Sequence, residues 1–136
     1  MIMKTIYLGL TALMLLLMPM AGFAAGNANL EIATAATHAK MAANAADTAT
    51  AIMHFHHVIN CLVGPKGKQF DADAGNPCNG MGNGAMNDVA QKSLEHAKLQ
   101  HALTLAEQAL HADKLETTQQ YAARISEALK GVHNGN

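Results

Sequence analysis

The chain has no Trp, three Phe, two Tyr and two Cys among 136 residues, and only 14% of it is charged. So few aromatic rings argue against a large aromatic core. The formal net charge of −1 leaves no basic surface able to hold a phosphate backbone, so nucleic acid is set aside as a partner. No Cys-x-x-Cys occurs, which excludes a thioredoxin-type site, and no Cys-x-x-Cys-His, which excludes covalent c-type haem. The only serines are Ser93 and Ser126, neither in a nucleophile elbow, and no Glu-x-x-His pair suggests a di-iron bundle. Nothing in the pattern calls for an enzyme.

What the sequence does contain begins with an apolar leader. Lys4 supplies a positive charge, Ile6 to Met18 is apolar, and Ala21-Gly22-Phe23-Ala24-Ala25 supplies small residues with Gly22 at −3 and Ala24 at −1. The run is short for a membrane span of about 20 residues and stops at Pro19. Residues 1–24 therefore read as a signal peptide, and residues 25–136 as a single periplasmic or secreted domain with no membrane attachment after cleavage. Much of the 50% hydrophobic content belongs to the leader, and much of the remainder is Ala.

Between Leu30 and Val63 there is neither Gly nor Pro, and Ala, the strongest intrinsic helix former, dominates. One helix over about 30–63 is expected. From Gly64 to Asn87, six Gly and two Pro forbid regular structure, so a connecting loop is expected over 64–87. Helix resumes over about 88–130: Asp88 and Gln91 have capping-box spacing, Gly131 suits a C-terminal stop, and a kink or break falls around Ala112 to Thr118. Stripes of Ala45, Ala49, Ile52, Ile59 and Val63, and of Leu99, Leu103, Leu110, Tyr121 and Ile125, are spaced for packing. The fold class is all-α, a long antiparallel hairpin or a small helix bundle with a Gly-rich connecting loop; a homo-oligomer is compatible with it. Such a core is thin, and a Cys61–Cys78 disulfide would staple it, contributing about 3 kcal/mol for a loop of that size.

Histidine is the conspicuous excess, with eight residues. In Met53-His54-Phe55-His56-His57 the first and last imidazoles are i and i+3, a bidentate pair for Cu²⁺, Ni²⁺ or Zn²⁺. Met53, and Cys61 if reduced, would add soft sulfur for Cu⁺. His56 points onto the apolar stripe, and His38 lies eighteen residues earlier, five whole turns of a continuous helix and hence on the same face. Each taken singly reads as a core or boundary residue. The second helical stretch adds His96, His101 and His111, the last four residues after Glu107. Met81 and Met86 flank a glycine run as peripheral ligands. Asp71 to Asn76 begins like a calcium loop, but Gly75 at its fifth position and Gly82 at its twelfth exclude an EF-hand and leave a weak oxygen site for a hard cation.

Three short units, Thr37-His38-Ala39-Lys40, Leu94-Glu95-His96-Ala97-Lys98 and Ala109-Leu110-His111-Ala112, resemble the repeats of the small metal-binding proteins, periplasmic His-rich helical bundles of proteobacteria. The resemblance implies His38, His96, His101 and His111 as shared ligands and uptake of divalent metals, copper above nickel or zinc. The functional expectation is an exported protein that sequesters or buffers transition-metal ions through helix-borne histidines. Two alternatives stand beside it: an interaction module that uses the glycine loop, and a bundle holding non-covalent haem on His56 or His96.

Overall fold

The structure is a computed structural model that describes residues 26–132, so the expected signal peptide lies outside the described residues. It is all-helical: α1 Ala28–Ala43, α2 Thr48–Val63, α3 Ala85–Asp88, α4 Leu94–Ala109 and α5 Leu115–Leu129, with no strand among the described residues.

The single helix expected over 30–63 is two helices. Asn44 ends α1, its backbone N–H bonding the last carbonyls and its Nδ2 donating to the Lys40 carbonyl at 2.8 Å. Asp47 then starts α2 from an extended conformation, its carboxylate accepting from the Thr50 backbone N–H at 2.8 Å and the Thr50 hydroxyl at 2.9 Å. Short polar side chains compete with the helical ladder by bonding nearby backbone, and a good N-cap contributes about 1 kcal/mol, more than the propensity lost over two or three residues. The chain reverses here, and α1 and α2 form a hairpin.

The second half differs from expectation at its start. Asp88 ends the one-turn α3 instead of capping a long helix, because its carboxylate accepts from the Asn83 backbone and side-chain nitrogens at 2.8 and 3.1 Å. Ser93 caps α4 through the His96 N–H at 3.0 Å. The break anticipated around 112–118 falls over 110–114, and Gly131 follows α5 with φ 67°, the left-handed stop that glycine permits.

The two hairpins pack as a bundle, α1 against α5 and α2 against α4. Ala35, Ala39 and Ala42 of α1 are buried in one core with larger residues: Phe55, Ile59 and Leu62 of α2, Leu99 and Leu105 of α4, and Ile125 of α5. Of the expected stripes, Ala45, Ile59, Val63, Leu99, Leu103 and Ile125 are buried, and Leu110 and Tyr121 partly so. Ala49 is exposed and Ile52 half-buried, both near the start of α2 beside the chain reversal.

The glycine loop is fastened at both ends. Cys61 and Cys78 form the expected disulfide, with Cα atoms 5.3 Å apart. Further on, Gly64 and Gly84, both with positive φ, bring backbone onto backbone: a Cβ on Gly64 would strike the Asn83 carbonyl, and one on Gly84 would strike Val63. Nearby, Glu31 is 1% exposed, and its Oε1 accepts from the Gly84 N–H at 2.8 Å. Burial, with the neighbouring Asp88 adding, pushes its pKa up to about 7. A proton on Glu31 supplies the donor that two facing carboxylates otherwise lack.

Candidate metal centre

The hairpin turn decides which histidines meet. His38 on α1 and His54 on α2 lie at similar distances from residues 44–47, and His57 is one turn further along α2 on the same face. Their Nδ1 atoms converge, His38 to His54 at 3.2 Å and His57 to His38 at 3.3 Å. Ligand nitrogens of all three lie within 4.8 Å of one another, and no other such group of His, Cys, Asp or Glu occurs among the described residues. Ring centroids are 4.6 to 5.8 Å apart, and all three side chains are partly buried, so the centre opens to solvent on one side.

A backbone carbonyl sets the chemistry of one ring. His57 Nε2 lies 2.7 Å from the Ala74 oxygen, which only accepts, so Nε2 carries the proton and, in the neutral ring, Nδ1 is left with a lone pair facing His38. An imidazole nitrogen has one in-plane position, filled by either a proton or a lone pair. His38 Nδ1 meets two Nδ1 neighbours and can complete a full hydrogen bond with only one of them. A cation at the centre would satisfy all three lone pairs. Tetrahedral zinc with bonds of about 2.0–2.1 Å has N···N edges of about 3.4 Å, close to the two short separations. Donation of the distal N–H to a carbonyl is the usual orienting contact of a metal-bound histidine.

Electrostatics keep His38 and His54 in their ligating form. Desolvation, reinforced by His57 and His54, pushes His38 down to about 4. Desolvation and His57 lower His54 as well. At neutral pH these two rings therefore present lone pairs instead of additional protons.

The glycine loop positions the orienting carbonyl. Asn60, fully buried on α2, donates from Nδ2 to the Asp71 and Gly75 carbonyls at 2.7 and 2.6 Å and accepts the Asp71 N–H at 2.8 Å. With the disulfide one residue on, this holds residues 71–78 along α2 and presents Ala74 to His57. Neither Asn60 nor Ala74 was anticipated. A buried Asn in the last turn of an apolar helix is a legible signal for a pinned loop, whereas a backbone carbonyl leaves no mark in the sequence.

The other expected ligands stand apart. His56 faces away from the core and lies 3.1 Å from the Asp71 carboxylate, which corrects its placement on the apolar stripe; its alignment with His38 required the unbroken helix. His96 is half-buried, His101 and His111 are exposed, and none joins the cluster. Of the four ligands that the family resemblance implied, only His38 is in it. Cys61 is in the disulfide and offers no thiolate. Met81 and Met86 pack against the core, Met81 also taking the Thr34 hydroxyl at 3.6 Å, so they fill gaps. Asp71 spends one carboxylate oxygen on the Asp73 and Ala74 N–H groups and the other on His56, which disfavours the hard-cation site. Compared with known protein families, curated proteins and solved structures, the chain matches none.

Proposed function

We propose that this protein is an exported binding protein, not an enzyme, that sequesters or buffers divalent transition-metal ions at His38, His54 and His57. The observation that carries the proposal is the convergence of three Nδ1 atoms at 3.2 and 3.3 Å with the distal nitrogen of His57 already committed to a carbonyl. Three neutral imidazoles suit Cu²⁺, Ni²⁺ and Zn²⁺, and the open side leaves a position for water or exchange, as a buffer requires. The disulfide fits an oxidising compartment, in keeping with the leader read at residues 1–24. No helix among the described residues is long and apolar enough to cross a membrane. The resemblance to the small metal-binding proteins supports the function through the His-Ala-Lys unit at His38, with the ligand set redrawn around the α1–α2 hairpin.

Calorimetric titration of residues 25–136 with Zn²⁺, Cu²⁺ and Ni²⁺ tests the proposal. Saturable uptake of one ion per chain at the triad, lost in His54→Ala/His57→Ala, is expected. Absence of saturable uptake, or uptake unchanged in that variant, contradicts it.

A further inference from the structure

Four large apolar side chains are exposed among the described residues: Leu30, Met41, Met53 and Leu94. Leu30 and Leu94 lie in the first turns of α1 and α4, where an exposed leucine needs no special account. The two methionines are placed differently. Met41 follows His38 by three residues on α1, and Met53 precedes His57 by four on α2, so each shares a stripe with a triad histidine. Moving toward the hairpin turn runs forward along α1 and backward along α2. Met41 is therefore displaced from His38, and Met53 from His57, in the same direction by about one turn or roughly 5 Å, and Met53 also adjoins His54 in sequence. Each is 46% exposed, whereas Met81 and Met86 are packed against the core.

We infer that Met41 and Met53 form a thioether subsite at the solvent mouth of the histidine centre, which extends its cargo to Cu⁺. The inference rests on the triad being a metal centre and adds to it a ligand class of opposite preference. Thioether sulfur is soft and polarisable and selects Cu⁺ over Zn²⁺ or Ni²⁺, while three imidazoles suit the divalent ions. Methionine keeps its ligand atom at any pH, and an unbranched side chain on each helix can turn toward a shared ion across the groove. The one other soft donor near the triad, Cys61, is closed by the disulfide. Among the described residues, sulfur for a monovalent ion at this face comes from these two side chains.

Ag⁺, a redox-inert stand-in for Cu⁺, separates this subsite from the triad. Wild type, Met41→Leu/Met53→Leu and His54→Ala/His57→Ala are titrated with Ag⁺ in chloride-free buffer and with Zn²⁺, while the methionine methyl resonances are followed. The expected result is a fall in Ag⁺ affinity of about tenfold or more in the leucine variant with Zn²⁺ affinity within about twofold of wild type, and movement of the Met41 and Met53 methyl signals in wild type. Unchanged Ag⁺ affinity in the leucine variant, or a parallel loss of Zn²⁺, overturns the subsite and leaves the triad standing. Failure of wild type to take up Zn²⁺ overturns the triad reading and this inference with it.

Discussion

The two hairpins of the bundle both carry histidine and make different use of it. On α1 and α2, three imidazoles from two helices meet with their Nδ1 atoms facing, and a loop carbonyl orients one of them. On the α4–α5 side, His96, His101 and His111 are spread over about four turns of chain without a common centre. The side-chain type is the same in the two halves, but only α2 carries a pair spaced by three residues. The difference lies in a facing element that delivers a ligand from another helix, and in an acceptor that holds a ring in one tautomer. Histidine abundance is therefore a poor guide to capacity, and one well-placed reversal of the chain outweighs several surface residues.

The largest effect that would break this contrast is on affinity. His38→Ala or His57→Ala should weaken Zn²⁺ binding by at least about a hundredfold, more than outer-shell changes usually cost, while His101→Ala/His111→Ala should leave it within about twofold. Equal losses in both halves, measured by chelator competition, would erase the distinction.

Next comes the fastening of the loop. Cys61→Ser/Cys78→Ser should cost about 3 kcal/mol of stability in denaturant melts. By freeing residues 71–78 it should also lower Zn²⁺ affinity by about tenfold, the size of effect expected when an orienting partner is lost. Asn60→Ala should reproduce the affinity loss with the disulfide intact.

Proton linkage sharpens the comparison within α1, which carries two groups with opposite behaviour. Glu31 has its folded pKa raised from 4.5 to about 7, so its contribution is full below 4.5 and is lost as pH rises through 7. His38 is depressed from 6.5 to about 4, so its contribution is present above 6.5 and is lost as pH falls toward 4. Glu31→Gln, whose amide can donate to Asp88 while Oε1 keeps the Gly84 contact, should remove the loss of stability that Glu31 causes between pH 4.5 and 7 and leave stability above pH 7 higher by about 2 kcal/mol. His38→Ala should flatten the acid limb. A stability profile unchanged between pH 4.5 and 7 in Glu31→Gln would show that the buried carboxyl does not hold its proton. The smallest expected change is Asp47→Ala, which removes the cap between the two helices at a cost of about 1 kcal/mol in a thermal melt.

The all-α class, the glycine loop and the disulfide were legible because Ala-rich stretches, glycine clustering and a cysteine pair read as exported each carry a direct physical meaning. The His54 and His57 pair was legible from its spacing. The reversal at 44–47 was not, because Asn44 and Asp47 are single polar residues in an Ala-rich stretch whose summed propensity favours helix, and capping acts through geometry that a window average hides. Missing the turn also gave His38 the wrong partner: a continuous helix aligned it with His56, whereas the hairpin sets it against His54 and His57. Ala74 contributes only its backbone, so no side-chain pattern pointed to it.

Long-range ¹H–¹⁵N spectra of the histidine rings during a Zn²⁺ titration test the central claim most directly. Free His57 is expected to carry its proton on Nε2, and one equivalent of Zn²⁺ to shift the Nδ1 signals of His38, His54 and His57 while leaving His96, His101 and His111 in place. A His57 protonated on Nδ1 in the free protein, or a non-saturating shift shared by the histidines of both hairpins, would contradict it.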